Sequence, residues 1–130
     1  MNPLRMAAVS TVTLALVLYS LGTLAERRRS RADGVVLGLL TAGVSFDTLA
    51  TALMIAATAS LAPSLHGVLG YSALALMLVH VIALWRHRAR AGSAVLSPRL
   101  RGYGLIAYAY WVIAYFAGAA LVMAAHRAAR

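Results

Sequence analysis

Along this chain, long apolar runs alternate with short basic connections. Residues 6–25 carry no charge, and residues 34–65 carry one, Asp47. Residues 66–85 have none apart from two histidines, and residues 102–125 have none. Crossing a hydrocarbon core takes about 20 residues of helix. The pattern therefore predicts four spans, at about 4–25, 34–58, 65–86 and 102–125. The second run is long enough to hold a span and a turn near Ala62-Pro63-Ser64. Backbone groups in lipid must be satisfied within the chain, so the spans are helices. The expected fold is all-α: one integral membrane domain, a four-helix bundle of two antiparallel helical hairpins.

Composition agrees with that pattern. Of the 130 residues, 62% are hydrophobic and 12% are charged, with a mean hydropathy of +0.82. A soluble domain of this size is about half apolar and about a quarter charged. The net charge of +9 comes entirely from arginine, because the chain has no lysine. These arginines sit in clusters between apolar runs, which is the pattern of basic membrane loops and not of a nucleic-acid surface. Arg27, Arg28, Arg29 and Arg31 fill the first connection, and Arg86, Arg88, Arg90, Arg99 and Arg101 the third. Only Arg5, Arg127 and Arg130 lie on the other side. The positive-inside rule then puts both termini outside and connections one and three in the cytoplasm. The arginines serve as topology determinants that also contact lipid phosphates. Thr23-Leu24-Ala25 has the form of a signal-peptide cleavage site, but the arginines that follow disfavour translocation. The first segment reads as a retained helix.

With no cysteine, disulfides, iron–sulfur clusters and thiolate metal sites are excluded. The remaining chemistry rests on the polar groups inside the spans. Asp47 lies roughly 20 Å along its helix from Gly34, near the midplane. A carboxylate there must be neutral, paired or facing a wet cavity. Thr48 and Thr51 are local hydroxyls within its reach. His66 and His80 are fourteen residues apart, which places them within about 40° of one helical face and roughly 21 Å apart. Gly70, Ala73 and Met77 complete that stripe. On the fourth span Tyr108, Trp111 and Tyr115 follow i, i+3, i+7. They suit either packing with their polar atoms bonded to neighbouring helices or the wall of a cofactor or cation site.

Two histidines on one face, one toward each membrane surface, resemble the arrangement in di-haem membrane cytochromes of the b type. That resemblance covers the third helix alone. His126 is a candidate partner for His66, whereas His80 has no second histidine within one chain. An Asp/His site for a divalent metal is the alternative, with Asp47 joined by one of the two histidines.

Tyr19-Ser20-Leu21-Gly22 leading to Glu26, then Phe46-Asp47-Thr48 with Thr51-Ala52-Leu53-Met54, resemble the HsmA-like family of small four-span bacterial membrane proteins. So do Leu65-His66-Gly67-Val68-Leu69-Gly70 and Leu76-Met77-Leu78-Val79-His80. The fourth span departs from that pattern, with Ala114 where a proline is expected. The resemblance implies a four-helix inner-membrane protein and brings no established activity with it.

Three functions compete at this level. One is a haem or metal protein for intramembrane electron transfer or proton relay, with His66 and His80 as ligands, Asp47 as proton carrier and Met77, Tyr108, Trp111 and Tyr115 around the cofactor. Another is a proton-coupled small transporter working through Asp47. The third is a non-catalytic accessory subunit of a membrane complex, with homodimerisation or assembly into that complex as the partner expectation. No nucleophile motif or phosphate loop is present, and no connection exceeds about sixteen residues.

Overall fold

The computed structural model describes residues 3–58, 65–92 and 95–128, and within them it is four helices. They are α1 (Pro3–Arg29), α2 (Gly34–Thr58), α3 (Leu65–Ala91) and α4 (Pro98–Ala128). All four are long and apolar enough to cross a membrane, the architecture of a multi-pass membrane protein. The turn expected near residues 62–64 lies outside the described residues.

Several helix ends have a chemical cause. Proline opens α1 and α4, where its missing N–H is no loss. The Asp33 carboxylate accepts the Val36 N–H at 3.0 Å and caps α2. Ser97 caps α4 by accepting the Leu100 N–H at 3.2 Å. α1 closes on Ser30, at φ 55°, whose N–H donates to the Glu26 carbonyl at 2.7 Å. α3 closes on Gly92, at φ 59°, whose N–H donates to the Arg88 carbonyl at 2.9 Å. Both are left-handed caps, where glycine is the ordinary occupant. Helices α1 and α3 run past the apolar runs, to Arg29 and Ala91, and α4 begins four residues before its run.

The helices pair as two hairpins, α1 on α2 and α3 on α4, and both contacts are more extensive than those joining the hairpins. Small residues let α1 and α2 approach closely. Gly22 lies against Leu39 and Leu40, and Gly43 lies against the Tyr19 ring. The interior holds Ala15, Tyr19, Val36, Leu40, Met77, Leu84 and Trp111. The outward surface is also apolar, with Val68, Val79, Ile106, Ile113 and Phe116 exposed. A helix apolar all round is what a lipid solvent selects.

At the arginine-rich end the two connections are clasped together. Arg31 and Val95 form an isolated antiparallel bridge, and the Leu96 N–H donates to the Ser30 carbonyl at 2.7 Å. Arg88 donates to the Ala32 carbonyl at 3.0 Å, and Arg101 to the Arg27 carbonyl at 3.3 Å. Ala32 and Leu96 are buried beneath this clasp.

Candidate functional site

The interior polar groups are arranged along α1. Tyr19 and Glu26 are seven residues apart, so they share one face with a rise of about 10.5 Å between them. Thr23 lies on the same face, and all three are buried. A chain segment so apolar turns inward the groups that lipid would penalise most.

Tyr19 builds the first cluster. Its hydroxyl donates to Asp47 Oδ2 at 2.9 Å, and the Trp111 indole N–H donates to the same oxygen at 2.8 Å. Helices α1, α2 and α4 thus meet at one carboxylate atom. The Tyr19 and Trp111 rings pack edge to face, with centroids 4.9 Å apart. Gly43, one turn before Asp47, leaves the space that the Tyr19 ring occupies.

Glu26 builds the second. Its Oε1 lies 2.9 Å from His80 Nε2, and the two side chains are 2% and 1% exposed. Burial this complete shields the pair from bulk solvent. His80 Nδ1 is also buried and has no hydrogen-bond partner. In the tautomer that donates from Nε2 to the carboxylate, Nδ1 carries the lone pair. The ring sits on α4 at Gly104, where a Cβ would collide with it and approach Glu26. Tyr103 flanks it, with ring centroids 5.8 Å apart.

His66 repeats the arrangement without an acid. Its ring lies against Gly118, and its Nδ1 is buried without a partner. The interval of fourteen between His66 and His80 on α3 is matched by the interval between Gly104 and Gly118 on α4. The two histidines do share a face, and that face is received by two glycines of an antiparallel helix.

Around these groups, tyrosine hydroxyls link the helices. Tyr115 bonds Thr13 at 3.0 Å, Tyr108 bonds Ser20 at 2.6 Å and Tyr110 bonds Ser72 at 2.8 Å. The Tyr103 hydroxyl donates to the Leu76 carbonyl at 3.0 Å. The stripe of Tyr108, Trp111 and Tyr115 therefore faces α1 and Asp47, and Trp111 stacks on Tyr115. Met77 is fully buried one turn from His80.

Asp47, His66 and His80 are not brought together. Each has its own surroundings, and among the described residues no three His, Cys, Asp or Glu side chains gather as a metal-binding group. Thr48 and Thr51 do not serve the Asp47 carboxylate: their hydroxyls donate to the Val44 and Asp47 carbonyls. The side chain of His126 lies outside the described residues. Two members of the site escaped sequence reasoning as chemical candidates, Tyr19 and Glu26. Glu26 directly precedes three arginines and so reads as part of the basic flank, whereas the helix continues a full turn beyond it. The available signal was the spacing of seven from Tyr19.

The fold and site together define a class: a four-helix, multi-pass bundle in which two of the three acids, Glu26 and Asp47, are held inside by partners from other helices. Comparison with family models, with curated proteins and with solved structures finds no match for this chain.

Proposed function

We propose that this chain is a bacterial inner-membrane protein that relays protons within the bilayer, with Glu26–His80 and Tyr19–Asp47–Trp111 as its proton-holding groups. The observation that carries the reading is the Glu26–His80 pair, closed at 2.9 Å and almost wholly buried. A buried carboxylate bonded to a neutral imidazole carries one negative charge, and a proton added to the pair cancels it, which is why such a group attracts a proton within lipid. The bookkeeping is simple. A proton arriving at His80 Nδ1 lets Nε2 pass its own proton to Glu26, and the pair becomes a neutral imidazole beside a neutral acid. Reversal releases one proton. Asp47, with two donors on one oxygen, is the second carboxylate on the path, and Thr23 lies between the two clusters on α1. The arginine-rich end faces the cytoplasm in this reading, so Glu26 and His80 serve the inner leaflet.

The test is proton flux into vesicles containing the purified protein, followed with a trapped pH-sensitive dye under an imposed pH gradient. Wild-type vesicles should acidify faster than protein-free ones, and Glu26→Gln and Asp47→Asn should each return the rate to background. Wild-type flux in both variants, or none in the wild type, overturns the proposal. Haem held by His80, or by His66, is the competing reading, since the two histidines lie too far apart to share one group. It would require Glu26 to leave His80 Nε2 free, and a reduced-minus-oxidised visible spectrum of the same protein distinguishes it by an α-band lost in His80→Ala.

A further inference from the structure

The outer face of α3 carries a stripe that is apolar at one end and cationic at the other. Val79, Ile82, Ala83, Arg86, His87 and Arg90 line one shallow groove of about 460 Å³. Their spacing of i, i+3, i+4, i+7, i+8, i+11 is a single helical face. The stripe is ordered along the helix, apolar first and cationic last. Val79 and Ile82 are 54% and 48% exposed, and Arg86 and Arg90 are exposed beyond them. From Val79 to Arg90 the helix rises about 16 Å, close to the depth of one leaflet from mid-core to phosphate.

Charge decides what fits there. The chain has three acids. Glu26 is bonded to His80, Asp33 to Arg29, and Asp47 to Tyr19 and Trp111. Among the described residues, no side-chain carboxylate is therefore paired with Arg86 or Arg90, one turn apart on the same face. We propose that this face is a binding site for one anionic phospholipid, its phosphate held between Arg86 and Arg90 and an acyl chain lying on Val79, Ile82 and Ala83. Arginine suits a phosphodiester because its planar fork presents paired donors. A zwitterionic lipid fits less well, since its ammonium brings a third cation to the pair.

The site is independent of proton movement and is tested without it. Detergent-purified full-length protein is titrated with phosphatidylglycerol or phosphatidylcholine, and bound lipid is counted by native mass spectrometry. The wild type should retain phosphatidylglycerol preferentially, and Arg86→Ala/Arg90→Ala should weaken that retention about tenfold to thirtyfold with phosphatidylcholine unchanged. Arg27→Ala/Arg28→Ala removes the same charge at the same end and should leave retention near wild type. Should the alanine pair fail to fold, Arg86→Gln/Arg90→Gln keeps the side-chain length and should give the same loss. Equal loss in the Arg27/Arg28 control overturns the proposal in favour of diffuse attraction. Displacement of the lipid by millimolar glycerol phosphate overturns it in favour of a free-phosphate site.

Discussion

Two glycines contrast the crowded interior with the open outer surface. At Gly104 a methyl group would enter the His80 ring and press on Glu26, whereas at Gly38 it would meet nothing within 4 Å. Gly104→Ala should therefore cost about 1–3 kcal/mol, as overpacked cores do. Gly38→Ala should be neutral or stabilising by up to about 1 kcal/mol, since alanine is the better helix former. Thermal unfolding of the two variants in detergent checks this, and equal midpoints would show that the His80 ring simply moves aside. Asp47 allows a finer separation, because both of its donors converge on one oxygen. Asparagine keeps an acceptor there, so Asp47→Asn should stay within about 1 kcal/mol of wild type while no longer holding a proton. Asp47→Ala orphans a buried hydroxyl and a buried indole N–H and should cost about 1–3 kcal/mol. If the two variants unfold alike, those hydrogen bonds contribute nothing to stability. At this scale the sequence made Asp47 and His80 conspicuous, because a polar group in an apolar run stands out whatever its partner. It did not show the partners. Tyr19 and Trp111 are amphipathic residues that a membrane helix accommodates for several reasons, and Glu26 is masked by the arginines behind it.

The helices themselves were legible because lipid imposes the element, and proline, aspartate, serine and glycine punctuate it. Asp33 is a case where that punctuation carries a pH dependence. Its carboxyl is held below the usual carboxylate range, first by the Val36 N–H it accepts and then by Arg29, whose guanidinium donates to it at 2.8 Å. A depressed native value means that the charged form is the stabilising one. The contribution is complete above the unfolded value of about 3.9 and is lost as pH falls through the lower native value. Asp33→Ala should remove the cap at a cost of about 1 kcal/mol near neutral pH, and Asp33→Asn should recover most of it. Below the native value of Asp33 the difference between wild type and Asp33→Ala should shrink. Unfolding midpoints across the acid range read this directly, and a difference that persisted there would mean that Val36 finds its acceptor elsewhere. Element ends were less legible. The spans expected to stop at residues 25 and 86 continue as helix to Arg29 and Ala91, because arginine is a good helix former and its charge ends the membrane contact without ending the helix.

For the whole molecule, short connections between apolar runs were enough to predict two hairpins. Which faces meet was not legible, since interior and lipid-facing positions are both apolar and no helix has a polar side to turn outward. What joins the hairpins at the arginine-rich end is partly backbone, through Arg31, Val95, Ser30 and Leu96, and backbone pairing leaves little trace in residue type. That clasp can be measured, because the chain has no cysteine of its own. Bridge partners in an antiparallel pair have Cα atoms about 4.5–5.5 Å apart, inside the range that a disulfide spans. Arg31→Cys/Val95→Cys should therefore form an internal disulfide under mild oxidant, seen as a loss of two hydrogens in the intact mass. Val95→Cys/Ile113→Cys, which pairs the clasp with the exposed middle of α4, should not. The bond closes a loop of more than sixty residues across both hairpins and should raise stability by about 2–4 kcal/mol, reversibly on reduction. A pair that forms the bond without stabilisation would show that the connections meet but do not hold the hairpins together. Failure of the pair to oxidise would separate the two connections and with them the assignment of both to one end of the bundle.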